Sequence, residues 1–263
     1  MSRINPIAYT AESQDSFFRE SDWLFLPELD SPVLIVLRTE QFGTEELTRL
    51  GSFLSKEEIA KSRRFRLYQD RTSYIVVHGL LRWILGRHLG ISPKSVEFTY
   101  GLSGKPSITG YSSRMFFNLS HSSGVSVLAF DPEHEIGADV EKIDEDFEYE
   151  PIIDLFFTRK ERQYIQISKE LSRRRFYEIW TRKEAFLKAT GTGITKDLSV
   201  EVLEEKIYGN ALMGNPDARM EFLFKSMMYD KKFMITIAMN SDHAKICVFV
   251  PGNDTNKLVI HKA

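Results

Sequence analysis

The sequence predicts an α+β protein of two similar halves in tandem, related by a pseudo-twofold. Each half is expected to pack a small, mainly antiparallel sheet on a long helix. Three observations support this fold class: paired capped helices, long helices that each end near a glycine, and short alternating strands after each helix. The halves are predicted as residues 1–130 and 131–263. A chain of 263 residues is long enough to bury roughly 70–75% of its unfolded surface.

A faint internal repeat defines the two halves. Each copy opens with a capping box, Ser55 with Glu58 in the first and Thr158 with Glu161 in the second. Each then passes through an Arg-Arg-Phe run into a longer helix, a glycine and a strand. The repetition predicts a structural role for Glu161.

The first half is expected to contain one long helix followed by three short strands. The helix spans about residues 70–89, and its apolar residues recur at helical spacing. They are Tyr74, Val77, Leu81 and Ile84. The strands are predicted at Val96–Tyr100, Met115–Leu119 and Val125–Phe130.

The second half is expected to contain a helix around Trp180 and five strands. The strands are predicted at Ile136–Glu141, Leu198–Leu203, Glu221–Lys225, Phe233–Met239 and Lys245–Val250. The last three are predicted to form an antiparallel meander, with turns at 230–232 and 240–242. The stretch Gly209–Pro216 is predicted as a loop, and residues 1–30 carry no clear signal.

Composition excludes several classes of protein. A net charge of −2 argues against a general nucleic-acid binder. No run of 18 apolar residues is present, so no membrane span is expected, and the N-terminus does not resemble a signal peptide. A single cysteine, Cys247, excludes an internal disulfide framework. We therefore expect a cytoplasmic protein.

The helix around Trp180 carries the first candidate site. Trp180, Glu184 and Lys188 are four residues apart and share one stripe. A carboxylate and a lysine one turn apart suit a metal ion and a phosphate bound side by side. A Glu and a Lys at this spacing are also the commonest surface ion pair of a helix, and the segment alone leaves both readings open.

The strand Ile136–Glu141 carries the second candidate site. Alternation places Asp139 and Glu141 on one face with Gly137, which has no side chain to obstruct a ligand. Two neighbouring carboxylates repel each other unless a cation neutralises them. Mg²⁺ takes one or two carboxylates together with phosphate oxygens and water. An exposed strand end with two solvated acids is the alternative.

A basic and polar set lies in the first half. Lys105 is in a turn, and Ser120 and His121 come at a strand end before a run of small residues. Such a run can present hydrogen-bond donors to a phosphate. Arg71 opens the first long helix. An ordinary turn histidine and a solvated first-turn arginine are the alternatives.

Four motifs occur in the order and spacing of one known family. The sequence resembles the larger class of 4′-phosphopantetheinyl transferases over about residues 50–205. The matching runs are Gly104-Lys105-Pro106, Phe117-Asn118-Leu119-Ser120-His121-Ser122, Ile136-Gly137-Ala138-Asp139-Val140-Glu141 and Trp180-Thr181-Arg182-Lys183-Glu184-Ala185-Phe186-Leu187-Lys188. Two departures are an extra serine, Ser123, and Ala138 before the aspartate.

The resemblance implies an activity and a role for each candidate residue. The enzyme would transfer phosphopantetheine from coenzyme A to a serine of an apo acyl- or peptidyl-carrier protein and release 3′,5′-ADP. Coenzyme A would lie across the junction of the halves. Its 3′-phosphate would contact Arg71 and His121, with Lys105 and Ser120 nearby. Mg²⁺ would be held by Asp139, Glu141 and Glu184, with Lys188 on the same phosphate oxygens; Glu184 and Lys188 would be catalytic.

Two other functions remain open from the residues alone. A metal-dependent nucleotide phosphohydrolase could use the same acids, and a non-catalytic carrier-binding module could keep the fold. The repeat predicts an active monomer with one metal site, because the first copy lacks the Lys-Glu-Ala run of the second. No nucleic-acid or membrane partner is expected. The carrier could belong to fatty-acid, polyketide or non-ribosomal peptide synthesis.

Overall fold

The structure of the protein is a computed structural model. It describes residues 7–9, 29, 31–110, 115–193, 200–210, 219–240, 245–250 and 258–261. The described residues form two compact units. Unit 1 comprises 7–9, 102–105, 134–193, 200–210 and 219–240, and unit 2 comprises 29, 31–101, 106–110, 115–133, 245–250 and 258–261. Both units therefore draw on more than one stretch of the chain.

The described residues contain six α-helices. They are α1 Thr44–Gly51, α2 Lys56–Ser62, α3 Tyr68–Leu89, α4 Glu150–Phe156, α5 Arg159–Gln166 and α6 Lys169–Thr190. Short 3₁₀ turns lie at Thr39–Gln41 and Pro93–Ser95. Of these helices, none is long and apolar enough to cross a membrane.

Most of the strands are short, as the sequence predicts. They are β1 Ile7–Tyr9, β2 Val33–Arg38, β3 Phe98–Tyr100, β4 Pro106–Ile108, β5 Phe116–Ser122, β6 Val125–Asp131, β7 Gly137–Lys142, β8 Lys206–Asn210, β9 Arg219–Tyr229, β10 Phe233–Asn240, β11 Lys245–Phe249 and β12 Leu258–His261.

Each unit has its own sheet. In unit 1 the strand order is β1-β9-β10-β7, with β8 also paired to β9. In unit 2 the order is β12-β11-β2-β6-β5, and β3 with β4 forms a separate two-stranded sheet. Most pairs are antiparallel; β1 with β9 and β11 with β2 are parallel. The predicted α+β class is confirmed.

The capping boxes form as predicted. The Ser55 hydroxyl accepts a hydrogen bond from the Glu58 backbone N–H, and the Glu58 carboxylate accepts one from Ser55 N–H. Thr158 and Glu161 repeat this pattern in unit 1. Both long helices end at a glycine in the left-handed region, Gly90 and Gly191.

The repeat is longer than the sequence alone indicates, because it includes the strand before each helix pair. Strand β2 pairs antiparallel with β6, which pairs antiparallel with β5. Strand β7 pairs in the same way with β10, and β10 with β9. The stripe predicted for the first long helix is buried: Val77, Leu81 and Ile84 face the core of unit 2. Tyr74 is buried beside Phe65 and His78.

Three predicted elements differ from the structure. The C-terminal meander is wrong in its third strand, because β11 pairs with β2 and β12 rather than with β10. Val200–Leu203 is irregular instead of a strand, and the rest of that predicted strand lies outside the described residues. The loop prediction is wrong for Gly209 and Asn210, because β8 extends to Asn210, and the rest of that predicted loop lies outside the described residues.

Candidate functional site

Strand β7 and helix α6 together carry the acidic residues of the candidate site. Asp139 on β7 stands opposite Thr236 of β10, and Glu141 stands opposite Met234. Helix α6 packs across both strands. All of these residues belong to unit 1, so the strand acids and the helix acid are positioned by one core.

Gly137 permits the close approach of that helix. A Cβ atom at this position would lie 1.9 Å from the Ala185 carbonyl oxygen and 2.4 Å from the Ala189 nitrogen. The expectation that Gly137 leaves room for a ligand is therefore wrong, because the helix backbone fills that space. The glycine instead brings the helix against the strand beside Glu184.

Asp139 and Lys188 form a direct ion pair between the strand and the helix. The Lys188 Nζ donates to Asp139 Oδ1 at 2.6 Å. The Asp139 side chain is 4% exposed and that of Lys188 is 29% exposed. The lysine thus reaches solvent while its partner is buried.

Glu184 is buried as well, which excludes the ordinary surface ion pair. The residue is 7% exposed. Burial raises the pKa of its carboxyl group, and the nearby Asp139 charge raises it further, while Lys188 acts in the opposite direction. Two buried carboxylates close together, with a lysine beside them, are suited to a divalent cation and a phosphate.

Glu141 lies on the same face of β7 as Asp139, and its charge acts on Tyr177 of helix α6. Burial raises the pKa of Tyr177, and the Glu141 charge adds to that rise. Within the described part of the chain, no three His, Cys, Asp or Glu side chains form a ready-made metal cluster. Two carboxylates already suffice for Mg²⁺ bound with phosphate oxygens, so the chemistry of Asp139 and Glu184 fits this ion. The metal role of these two acids and of Glu141 stays a prediction.

A buried polar chain holds α6 on the sheet at the level of the site. The Thr181 hydroxyl is 2.7 Å from that of Thr236, which is 2.9 Å from that of Ser226. Arg182 Nε donates to the Ser226 hydroxyl at 3.2 Å. Sequence reasoning missed Thr236 and Ser226, because nothing local in their strands marks them as partners of the helix.

Glu161 has the structural role that the repeat predicts. It is fully buried, pairs with Lys183 at 2.9 Å and accepts a hydrogen bond from Val202 N–H. Lys183 also donates to the Val200 carbonyl. In unit 2, Glu58 pairs with Arg82 in the same manner.

Lys105 is bound within unit 1. Its Nζ pairs with the Glu135 carboxylate and donates to the carbonyls of Ala189, at 2.8 Å, and Ile136, at 3.3 Å. Burial lowers the pKa of Lys105, although Glu135 opposes this. The amine therefore lies between the start of β7 and the end of α6.

The other predicted phosphate contacts, Arg71, Ser120 and His121, lie in unit 2. Arg71 is exposed in the first turn of α3, and His121 is exposed on β5. Ser120 and His121 belong to the strand itself; only Ser123 and Gly124 make the turn that follows.

Thr39 ties that hairpin to the second turn of α3. Its hydroxyl donates to the Gly124 carbonyl at 3.1 Å and lies 2.8 Å from the Ser73 hydroxyl. Unit 2 thus brings the hairpin with His121 close to the helix N-terminus with Arg71. A helix N-terminus favours anions. Thr39 itself has no sequence motif that could have identified it.

Unit 2 lacks the acidic site of unit 1. Strand β2 has the same place in the sheet of unit 2 as strand β7 has in the sheet of unit 1, and Ile35 stands at the position that corresponds to Asp139. Helices α3 and α6 are both 22 residues long, and Trp83 stands where α6 has Glu184. The repeat is therefore asymmetric at the site.

Comparison with known proteins points to the same family that the sequence resembles. A family model described as "4′-phosphopantetheinyl transferase superfamily" matches residues 135–218, and one described as "4′-phosphopantetheinyl transferase, N-terminal" matches residues 42–133. The first range contains the motifs of Asp139 and Glu184, and the second contains Arg71 and the motif of His121.

Curated relatives carry the same description. The chain is 35% identical over 160 residues to the 4′-phosphopantetheinyl transferase HetI of Nostoc sp., a match covering 60% of this chain and 68% of that protein. It is 34% identical over 158 residues to a putative 4′-phosphopantetheinyl transferase of Synechocystis sp., covering 59% and 64%.

A third relative matches over a longer segment. The 4′-phosphopantetheinyl transferase Sfp of Bacillus subtilis is 28% identical over 194 residues, covering 73% of this chain and 85% of that protein. The matches to the Nostoc and Synechocystis proteins each span about two thirds of the length of those proteins.

A protein whose fold presents two buried carboxylates and a lysine on a strand and a helix is of a class suited to metal-assisted phosphoryl transfer. This chain belongs to the 4′-phosphopantetheinyl transferase family.

Proposed function

We propose that the protein transfers the 4′-phosphopantetheine group of coenzyme A to a serine of an apo acyl- or peptidyl-carrier protein and releases 3′,5′-ADP. The single observation that carries this is the joint burial of Asp139 and Glu184 beside Lys188. Membership of the family supplies the substrate class.

Asp139 and Glu184 would hold Mg²⁺, and Glu141 is the third carboxylate that the resemblance assigns. When bound, the ion neutralises charge on the pyrophosphate and polarises its oxygens. Lys188 is partly exposed, so its ammonium can interact with a phosphate oxygen while it remains next to Asp139. The protein's own contribution is thus to hold positive charge where the leaving group becomes negative.

The transfer makes one bond and breaks one bond. The carrier serine oxygen bonds to the β-phosphorus of coenzyme A, and the bond from that phosphorus to the bridging oxygen breaks. The electron pair leaves on 3′,5′-ADP. Glu184, or a water molecule that it polarises, takes the serine proton. Positioning and charge neutralisation provide most of the rate enhancement in such reactions.

Arg71 and His121 would contact the 3′-phosphate, and Ser120 would lie nearby. Support comes from the resemblance and from Thr39, which joins the His121 hairpin to the helix that carries Arg71 inside unit 2. Lys105, the remaining residue of this set, is bound by Glu135 and two backbone carbonyls instead of being exposed.

A cytoplasmic, monomeric enzyme with one site per chain completes the proposal. The lone cysteine, Cys247, is buried in the core of unit 2 and needs no disulfide partner. The asymmetric repeat supports a single metal site, because Ile35 and Trp83 cannot ligate Mg²⁺. Light scattering during turnover and calorimetry with coenzyme A would overturn this part if they showed activity only in a dimer or two equivalent sites.

Intact mass measurement of an apo carrier domain tests the function. The protein, coenzyme A and Mg²⁺ are incubated with the carrier, and we expect the carrier to gain the mass of one phosphopantetheine. A carrier with its acceptor serine replaced by alanine serves as the control. Nucleotide release with an unmodified carrier would favour a phosphohydrolase, and no reaction with any carrier would favour a binding module.

A further inference from the structure

Lys105 connects the two elements that carry the acidic site. The Ile136 carbonyl, which it contacts, directly precedes β7, and the Ala189 carbonyl lies in the last turn of α6. Its ammonium is held between them by Glu135. A cation at a helix C-terminus satisfies carbonyls that have no partner within the helix and interacts favourably with the helix dipole.

A second contact from the same short segment reinforces this connection. The Ser103 hydroxyl donates to the carbonyl of Gly191, the residue that ends α6. Residues 102–105 belong to unit 1, although the segments on either side of them belong to unit 2. The segment is therefore attached to the end of the helix by two side chains.

The distance between β7 and α6 decides how the site is assembled. Asp139 comes three residues after Ile136, and Lys188 directly precedes Ala189. Side chains that fix the orientation of ligating residues typically change metal affinity or activity by about 10–100-fold when they are replaced.

We propose that Lys105 is a positioning residue, which ties the start of β7 to the end of α6 and so sets Asp139 against Glu184 and Lys188, rather than a ligand of the coenzyme A phosphates. This inference rests on the proposed function for its kinetic readout. The lysine shares its hydrogen bonds among three acceptors of unit 1, which leaves it no free donor for the 3′-phosphate while they persist.

Kinetics of Lys105→Met separate the two roles. Positioning predicts a kcat lower by about tenfold or more and a higher Mg²⁺ requirement. The ratio of KM values for coenzyme A and dephospho-coenzyme A should stay as in the unaltered protein. Lys105→Arg should restore part of kcat, and Lys169→Met, an exposed lysine at the start of α6, should change nothing. A higher KM for coenzyme A alone would overturn the inference, as would an unchanged kcat.

The variant Glu135→Gln keeps Lys105, and the two roles predict opposite effects of this change on the function of the protein. If Lys105 positions the site, a weaker hold on it lowers kcat, by less than in Lys105→Met. If Lys105 is a phosphate ligand, its release from Glu135 tightens coenzyme A binding, which calorimetry would detect and which would refute positioning.

Amide hydrogen exchange supplies a readout that does not depend on activity. In Lys105→Met we expect faster exchange in the peptide that covers residues 186–193, with the rest of α6 unchanged. Unchanged exchange there would contradict the inference; if Lys105→Met does not fold, the same measurement on Glu135→Gln decides. Failure of carrier modification by the unaltered protein would instead refute the proposed function and leave the exchange result standing.

Discussion

Lys188 Nζ lies 2.6 Å from Asp139 Oδ1, so the strand aspartate holds the lysine that follows Glu184 by one turn of the helix. The pair spans β7 and α6, the two elements that carry the acidic residues. It places an ammonium beside two buried carboxylates, and the charge balance of the site depends on it.

Removal of this lysine should destabilise the metal-free protein. In Lys188→Ala the buried Asp139 loses its charged partner while Glu184 remains close. Loss of a hydrogen bond to a charged group costs about 1.5–3 kcal/mol, and the 29% exposure of Lys188 favours the lower end because solvent screens the pair. Urea unfolding measures the change, with Lys169→Ala as an exposed control. Equal stability of the two variants would contradict the pairing.

Gly137→Ala should separate the helix from the strand. The new Cβ would meet the Ala185 carbonyl oxygen at 1.9 Å, and both atoms are attached to backbone. Overpacking of this kind costs about 1–3 kcal/mol, occasionally more. Gly51→Ala is the matched control, since its Cβ would have only the Ile75 side chain at 3.7 Å. Thermal unfolding should therefore show a lower Tm for Gly137→Ala alone, and equal effects would refute the close approach.

Glu58 should make the protein sensitive to acid. Burial opposes ionisation, but hydrogen bonds from His78, the Ser55 backbone and Arg82 outweigh it and lower the pKa of Glu58 from 4.5 to about 2. Because the folded pKa is the lower one, the stabilisation is present above pH 4.5 and is lost as the pH falls toward 2. The shift corresponds to about 3 kcal/mol.

Urea unfolding of Glu58→Gln across that pH range checks this expectation. The variant should be less stable than the unaltered protein at pH 7, and the difference should shrink as the pH approaches 2. Glu45→Gln, which changes an exposed acid in the first turn of α1, controls for the change of charge. A difference that does not depend on pH would show that the Glu58 carboxylate is not stabilised in the folded state.

Arg71→Ala should weaken binding of coenzyme A far more than binding of dephospho-coenzyme A. The proposed function gives Arg71 a charge-assisted contact to the 3′-phosphate. Loss of such a contact costs about 1.5–3 kcal/mol, and only coenzyme A carries that phosphate. Calorimetry with both ligands measures the difference. Arg49→Ala, at the exposed end of α1, is the control. Equal weakening for the two ligands would place Arg71 outside the phosphate site.

Local signals in the sequence predicted much of the fold. Capping boxes such as Ser55 with Glu58 depend on residues three apart, and the ends of α3 and α6 depend on a single glycine each. Alternation on β7 correctly put Asp139 and Gly137 on one face. These features are set within one turn or one strand, so a pattern in the sequence is enough to find them.

Features that depend on long-range packing could not be predicted in this way. Nothing in the sequence around Gly137 shows that a helix some fifty residues later presses against it. Strand β11 pairs with β2 because β2 offers an edge of the sheet for pairing. The alternation of side chains along β11 does not indicate this partner. The hydrogen bonds of Lys105 likewise depend on contact between three segments that are far apart in the sequence.

The transfer rate of Glu184→Gln relative to Glu170→Gln tests the central claim most directly. Both changes remove one negative charge from α6, but Glu170 is exposed in the first turn while Glu184 is buried beside Asp139. Carrier modification is followed by intact mass under equal Mg²⁺ and coenzyme A. We expect Glu170→Gln to keep the unaltered rate and Glu184→Gln to lose about 100-fold or more. A Glu184→Gln rate equal to that of Glu170→Gln would show that the acidic pair on β7 and α6 is not the site of the reaction.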